Sequence, residues 1–330
     1  PGGGRVFDIR AAATVTLRDL TIQGGDGPPI VGSGAGIWNS GTLLLYQVNL
    51  RENRATVFGA GVFNEASAWL EIEQSTVFGN SAGHSGGGIF NQGTLVVTDS
   101  EILMNLAAGD GGGIYNHEDG DATVNRSRIG HNQTVDPGGG GPANLAGGAI
   151  LNHGRVNVVN GFFSWNDARD GFGGAIANYG ELETSNTTFI NNRSPVGSAV
   201  YSAVSSQVSM DNTIIAGECA VDPNSFTSFG GNLESPGHTC PLDPQSDLWD
   251  IADVMFGMNG SYNGGLVYTL QLQPGSPAID AGNNSRCQPE DLRHQPRAID
   301  GDGDLDPVCD AGHHEYNPDE LLIAGFEGGH

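Results

Sequence analysis

The chain has 330 residues, 53 of them glycine, and sets 38 acidic side chains against 13 basic ones, every one an arginine, for a formal charge of −25. That excess of negative charge repels phosphate backbones and anionic lipid, which makes nucleic acid and a membrane surface poor partners. The absence of a Gly-X-Y period excludes collagen, the even spread of apolar residues excludes disorder, and no stretch is long and apolar enough to span a bilayer.

The opening stretch, PGGGRVFDIRAAATVTLRDLTIQGG, enters a repeat without an obvious cap, and its abrupt Pro1 reads as the start of a processed or truncated chain. The repeat announces itself in GAGIWNSGTL at 34–43 and GGGIFNQGTL at 86–95. Its asparagine recurs at Asn39, Asn64, Asn91, Asn116, Asn152 and Asn178, with Ser202 in the seventh place. A second column, Asn53, Asn80, Asn105, Asn132, Asn166 and Asn192, keeps the same period. Three residues before it stand Leu50, Val77, Ile102, Ile129, Phe163 and Phe189. Ten and eight before it stand apolar pairs such as Leu43 and Leu45, Leu70 and Ile72, and Leu95 and Val97, two apart as in a strand.

Short strands, tight turns and like residues in register predict an all-β, right-handed parallel β-helix of about seven to eight coils, with a loop-rich C-terminal module. Coils would stack at roughly 4.8 Å. The asparagines would accept positive φ at turns and bond one another from coil to coil. The predicted units are the β-helix over 1–217, a disulfide-braced module over 218–316 and a tail over 317–330. The insertion TVDPGGGGPANLA at 134–146 must bulge from one side.

Outward columns supply the candidate sites. Trp38, Phe63, Phe90, Tyr115 and Tyr201, with Leu151 and Ala177 between them, form a ladder that would either stabilise the solenoid or present a ligand or partner surface. Phe78, Leu103, Met104, Phe162, Trp165 and Ile190 form a second apolar group, read as a self-association surface. His117 and His153 share a column and read as a turn ladder. Arg126 and Arg128 are read as lying on one strand, with Asp99 and Glu101 one coil earlier. A uronate lyase needs a cation and a base, and without lysine arginine would have to serve. An ion pair is the preferred reading of these four.

Beyond about residue 217 the columns fade and the four cysteines appear: Cys219, Cys240, Cys287 and Cys309. They read as two local disulfides, with three pairings open, and as a sign of an oxidising, extracellular compartment. In DGDGDLD the residues Asp300, Asp302, Asp304 and Asp306, followed by Asp310, alternate acidic oxygens with small residues, the ligand chemistry Ca²⁺ takes. The tail ELLIAGFE at 320–327 reads as a terminal strand, on this chain or a neighbour.

GSPAIDAG at 275–282, DLRHQPRAID at 291–300 and CDAGHHEY at 309–316, after GGGIYN-type repeats, resemble the choice-of-anchor module of bacterial secreted β-helix proteins. The resemblance covers nearly the whole chain and implies secretion and surface association, without one established activity. The expected function is a secreted surface or extracellular-matrix structural protein, acting in adhesion or in head-to-tail assembly into filaments. The alternative is a polysaccharide-binding or polysaccharide-cleaving β-helix. Expected partners are copies of the chain or carbohydrate, and the expected cofactor is Ca²⁺.

Overall fold

The computed structural model describes residues 4–27, 32–136, 145–257 and 260–319. The chain winds as a parallel β-helix of about eight coils, along which three nine-stranded sheets run. The first sheet runs from Phe7–Ile9 to Cys219–Ala220, the second from Thr14–Arg18 to Phe226–Ser228, and the third from Thr21–Gln23 to Leu233–Ser235. Every pairing within them is parallel and in register, so the residue columns become physical stacks: Asn91 pairs with Asn64 and Asn116, and Leu95 with Leu70 and Ala122.

The apolar columns point inward and form one continuous core, in which Leu43, Leu45, Leu70, Ile72, Ile89 and Leu95 have no exposed surface. Both asparagine columns are amide ladders. In the first, Asn64 donates to Asn91 at 2.7 Å and Asn91 to Asn116 at 2.8 Å. In the second, Asn80 donates to Asn105, and Asn105 to Asn132, at 3.0 Å each. Each ladder amide thus satisfies buried polar groups that the turns would otherwise strand. Glycine is obligatory beside the second ladder: a Cβ on Gly88 would lie 2.7 Å from the Gly113 carbonyl oxygen.

The two ends differ. In the first coil Phe7, Val15, Leu17 and Leu20 are only partly buried, because no coil lies beneath them among the described residues. At the other end the three sheets run on past residue 217, and the chain then folds over the last coil, where Cys240 and Leu242 complete the core. The cysteines pair as Cys219–Cys240 and Cys287–Cys309, with Cα atoms 4.9 and 6.4 Å apart. The first bond staples this cover to the end of the first sheet.

The remaining chain packs on the outer face of the third sheet. Ile214 and Leu233 meet Val254, Leu272, Ala278 and Ala311, while Phe162 meets Val267, Leu270 and Leu292. This corrects the self-association reading for Phe162, which is wholly buried, and for Ile190, which packs beside it. Their partner is the chain's own C-terminal module. No helix among the described residues is long and apolar enough to cross a membrane. The ELLIAGFE tail and most of the insertion lie outside the described residues.

Candidate functional site: the seam beneath the C-terminal module

Between the second and third sheets each coil turns through one residue in the left-handed region. From Gln47 onward the row reads Gln47, Gln74, Asp99, Arg126, Asn160, Asn186 and Asn212, with φ between 42° and 53°. Asp99 and Arg126 are therefore turn residues, not members of the strands carrying Glu101 and Arg128, a correction to the reading of Arg126 and Arg128 on one strand. Polar side chains project here from each of these coils, and the module binds those of Asp99, Asn160, Asn186 and Asn212 with residues 283–294, a strap laid along the row. The Asn283 N–H donates to Asn212 Oδ1 at 2.6 Å, the Gln288 N–H to Asn186 Oδ1 at 3.2 Å, and Asn160 Nδ2 to the Glu290 carbonyl at 2.9 Å. His294 reaches Asp99 Oδ1 through Nε2 at 3.0 Å.

The predicted constellation lies at the far end of this strap. Arg126 donates from Nε to Asp99 Oδ1 at 2.8 Å and from Nη2 to Oδ2 at 3.3 Å. Arg128 pairs with Glu101 across the third sheet, at 3.7 Å. The guanidinium of Arg128 lies 4.6 Å from the Tyr268 ring and 5.9 Å from that of Phe162, covered by the module. Burial lowers the Arg128 pKa and raises that of Glu101, and in each case the partner opposes the shift. All four candidates are thus brought together as two ion pairs, and neither arginine is a free base.

Behind the strap the three motifs of the module interlock. Asp291 accepts from Arg293 N–H at 2.7 Å and from Arg293 Nε at 2.8 Å, and Arg293 also donates to the Glu315 carbonyl. Arg297 donates to Glu315 Oε2 at 3.1 Å, to Asn160 Oδ1 at 2.9 Å and to the Gly312 carbonyl at 2.8 Å. Asp310 accepts from the backbone N–H groups of Asp280 and Tyr316. Asp291, Asp310 and Glu315 have no exposed surface. Each buried charge is therefore paired or bonded, which is the condition for its survival there.

His313 and His314 belong to the same cluster. His313 stacks on Phe162 at 4.4 Å and shares a hydrogen bond between Nε2 and the Thr269 hydroxyl. Burial holds both imidazoles well below their usual pKa, and Arg293 and Arg297 push the same way. An unfolded histidine takes up its proton near pH 6.5. As pH falls through that value the unfolded chain binds protons first, and the histidines withdraw up to about 1.4 kcal/mol per pH unit each. Asp310 and Glu315, raised chiefly by burial, protonate in the folded state first and act in the opposite sense. The histidine part is isolated by comparison. A His314→Gln variant is expected to lose less stability than the parent between pH 7 and pH 5, measured by urea denaturation. Equal losses would contradict the assignment.

The other predicted residues fall elsewhere. Trp38, Phe63, Phe90 and Tyr115 stack in sequence on the first sheet with centroids 4.3, 5.1 and 4.6 Å apart, and Phe58 covers Phe90. Leu151 and Ala177 interrupt the stack, and Tyr201 continues beyond them against Phe172 at 4.8 Å. Phe63 and Phe90 are buried, so this stretch of the ladder is packing rather than an open platform. Of the self-association group, Met104 is 52 % exposed and Trp165, stacked on His131, is 38 % exposed, with Phe78 and Leu103 half-buried beside them. Near His117, Glu118 and Asp119 gather with it, while His153 stacks on Tyr179.

Of the five predicted metal aspartates, Asp300 and Asp302 come together, joined by Asp280, with carboxylate oxygens close enough to share a cation. Asp304 and Asp306 are exposed along the turn, and Asp310 is turned into the module core. Asp300, Asp302 and Asp304 accept from nearby N–H groups of their own turn. The strap itself was missed by sequence reasoning; the one available signal was the change to asparagine in the turn row at 160, 186 and 212. Comparison of the chain with protein-family models, with curated proteins and with solved structures finds no significant match in any of the three.

Proposed function

We propose that the chain is a structural component of an extracellular surface or matrix, a stiff β-helical rod that associates end to end through its first coil. The first coil, an edge among the described residues, carries this reading. Among the described residues Phe7–Ile9, Thr14–Arg18 and Thr21–Gln23 are the outermost strands of their sheets, and inward-facing Val15 and Leu17 are only partly covered. An edge of this kind pairs readily with another chain. Charge favours the opposite end of a second copy as its partner. The first coil carries Arg5, Arg10 and Arg18 against Asp8 and Asp19, whereas residues 218–257 carry seven acidic side chains and no arginine. Two disulfides and the resemblance of the C-terminal motifs to secreted surface proteins support an extracellular setting. Pairing of Asp99, Glu101, Arg126 and Arg128 with one another favours this role over polysaccharide cleavage.

Negative-stain microscopy and light scattering over a concentration series test it. Rods joined end to end, growing with concentration and separated by a Leu17→Glu substitution, are the expected result. Single rods at every concentration would refute the proposal.

A further inference from the structure

Beside the Asp99–Arg126 pair the strapped module leaves a cleft of about 210 Å³. Gln47, Gln74 and Thr76 line its β-helix side with Asp99 and Glu101, and Tyr262 and Leu266 of the module line the other. We infer that this cleft is a binding site for a neutral saccharide, a function that does not depend on whether the rods join.

Four features of the cleft point to that ligand class. Tyr262 is 54 % exposed and Leu266 is 51 % exposed, an apolar wall left open at the mouth of an otherwise polar cleft. An open aromatic face suits the C–H face of a pyranose ring, apolar on one side and ringed by hydroxyls. The opposite wall supplies planar amides. Gln47 Nε2 donates to Gln74 Oε1 at 3.1 Å, which leaves the Gln47 carbonyl oxygen and the Gln74 amide group without a protein partner among the described residues. An amide pair carrying both a free acceptor and a free donor matches vicinal hydroxyls, each of which can donate and accept.

The third feature is charge. Asp99 is held by Arg126 and His294, and Glu101 by Arg128, so the carboxylates can accept from hydroxyls while the cleft keeps little net charge with which to trap a cation. An anionic sugar would meet both these oxygens and the field of a chain at −25. The fourth is backbone. Gln47 and Gln74 occupy left-handed positions at φ 53° and 46°, where asparagine or glycine sits with less strain, and the same row uses asparagine at 160, 186 and 212. Longer amides are kept only along the part of the row that faces this cleft.

The test is a glycan array probed with the labelled full chain, followed by calorimetric titration of the neutral oligosaccharides that bind. Binding is expected to weaken at least tenfold in Tyr262→Ala and in Gln74→Gly, and to persist in Tyr179→Ala, which lies outside the cleft. Gln74→Gly separates recognition from folding, because glycine relieves the left-handed turn and stability should hold or rise while binding falls. Absence of binding to every neutral glycan, binding confined to anionic glycans, or unchanged affinity in both cleft variants would overturn the inference. Rod association is read separately by light scattering, so failure of saccharide binding and failure of assembly are distinguishable.

Discussion

Replacing Arg297 with alanine is expected to lower stability by about 3–5 kcal/mol, the range for removing one partner of a buried ion pair. The guanidinium ties its own motif to the last one, through Glu315 and the Gly312 carbonyl, and to Asn160 of the β-helix. Its loss leaves the Glu315 carboxylate buried with the N–H groups of Asp310 and Ile299 as its donors among the described residues. The module should then loosen from the third sheet, which limited proteolysis within 251–316 and urea denaturation would both register. The double variant Arg297→Met, Glu315→Leu should recover part of the loss, because neither charge remains to be stranded. A change in Arg297→Ala below about 0.5 kcal/mol, the range of an ordinary surface substitution, would show that the cluster does not hold the module in place.

Asn105→Ala is the second large effect, expected at about 3–5 kcal/mol from several hydrogen bonds lost at once inside the rod. Asn105 Nδ2 donates to the Val77 carbonyl and to Asn132 Oδ1, while Oδ1 accepts from the Asn80 N–H and from Asn80 Nδ2, each at 3.0 Å. Alanine satisfies none of these, and water cannot enter a column with 1 % exposure. Asn192, at the half-buried end of the same ladder, provides the contrast. Its alanine variant should cost less than half as much, because solvent can reach the groups it frees. Equal losses at the two positions would mean that the ladder contributes through turn conformation rather than through its buried hydrogen bonds.

The β-helix was legible because its forces are periodic. A column such as Leu50, Val77, Ile102 and Ile129 shows its inward direction by repetition alone, and Asn53 through Asn192 marks both a turn and its stacking partner. The expected ion pairs at Asp99–Arg126 and Glu101–Arg128 followed from the same register. Module docking was not legible, since residues 251–316 carry no repeat from which a facing direction could be read. Phe162 and Ile190 therefore looked like an outward surface, although Val267, Leu270 and Leu292 cover them. Asp310 was grouped with the acidic turn by proximity in sequence, yet its carboxylate accepts N–H bonds inside the module. Tyr262 drew no notice for the same reason: its cleft exists only once the module lies against Gln47 and Gln74.

The strap gives the rod two mechanical regimes. It begins beside Asn212 and ends beside Asp99, running back along the axis against the direction in which the coils were laid down. Coils ahead of Asp99 are held to their neighbours by sheet hydrogen bonds, ladders and core packing without the strap, so a pull on the first coil can peel them singly, each releasing roughly 85 Å of chain for a coil of about 25 residues. From Asp99 onward, parting two coils also shears the strap, whose bonds to Asp99, Asn160, Asn186 and Asn212 load together. The molecule would yield gradually ahead of Asp99 and then resist as a block.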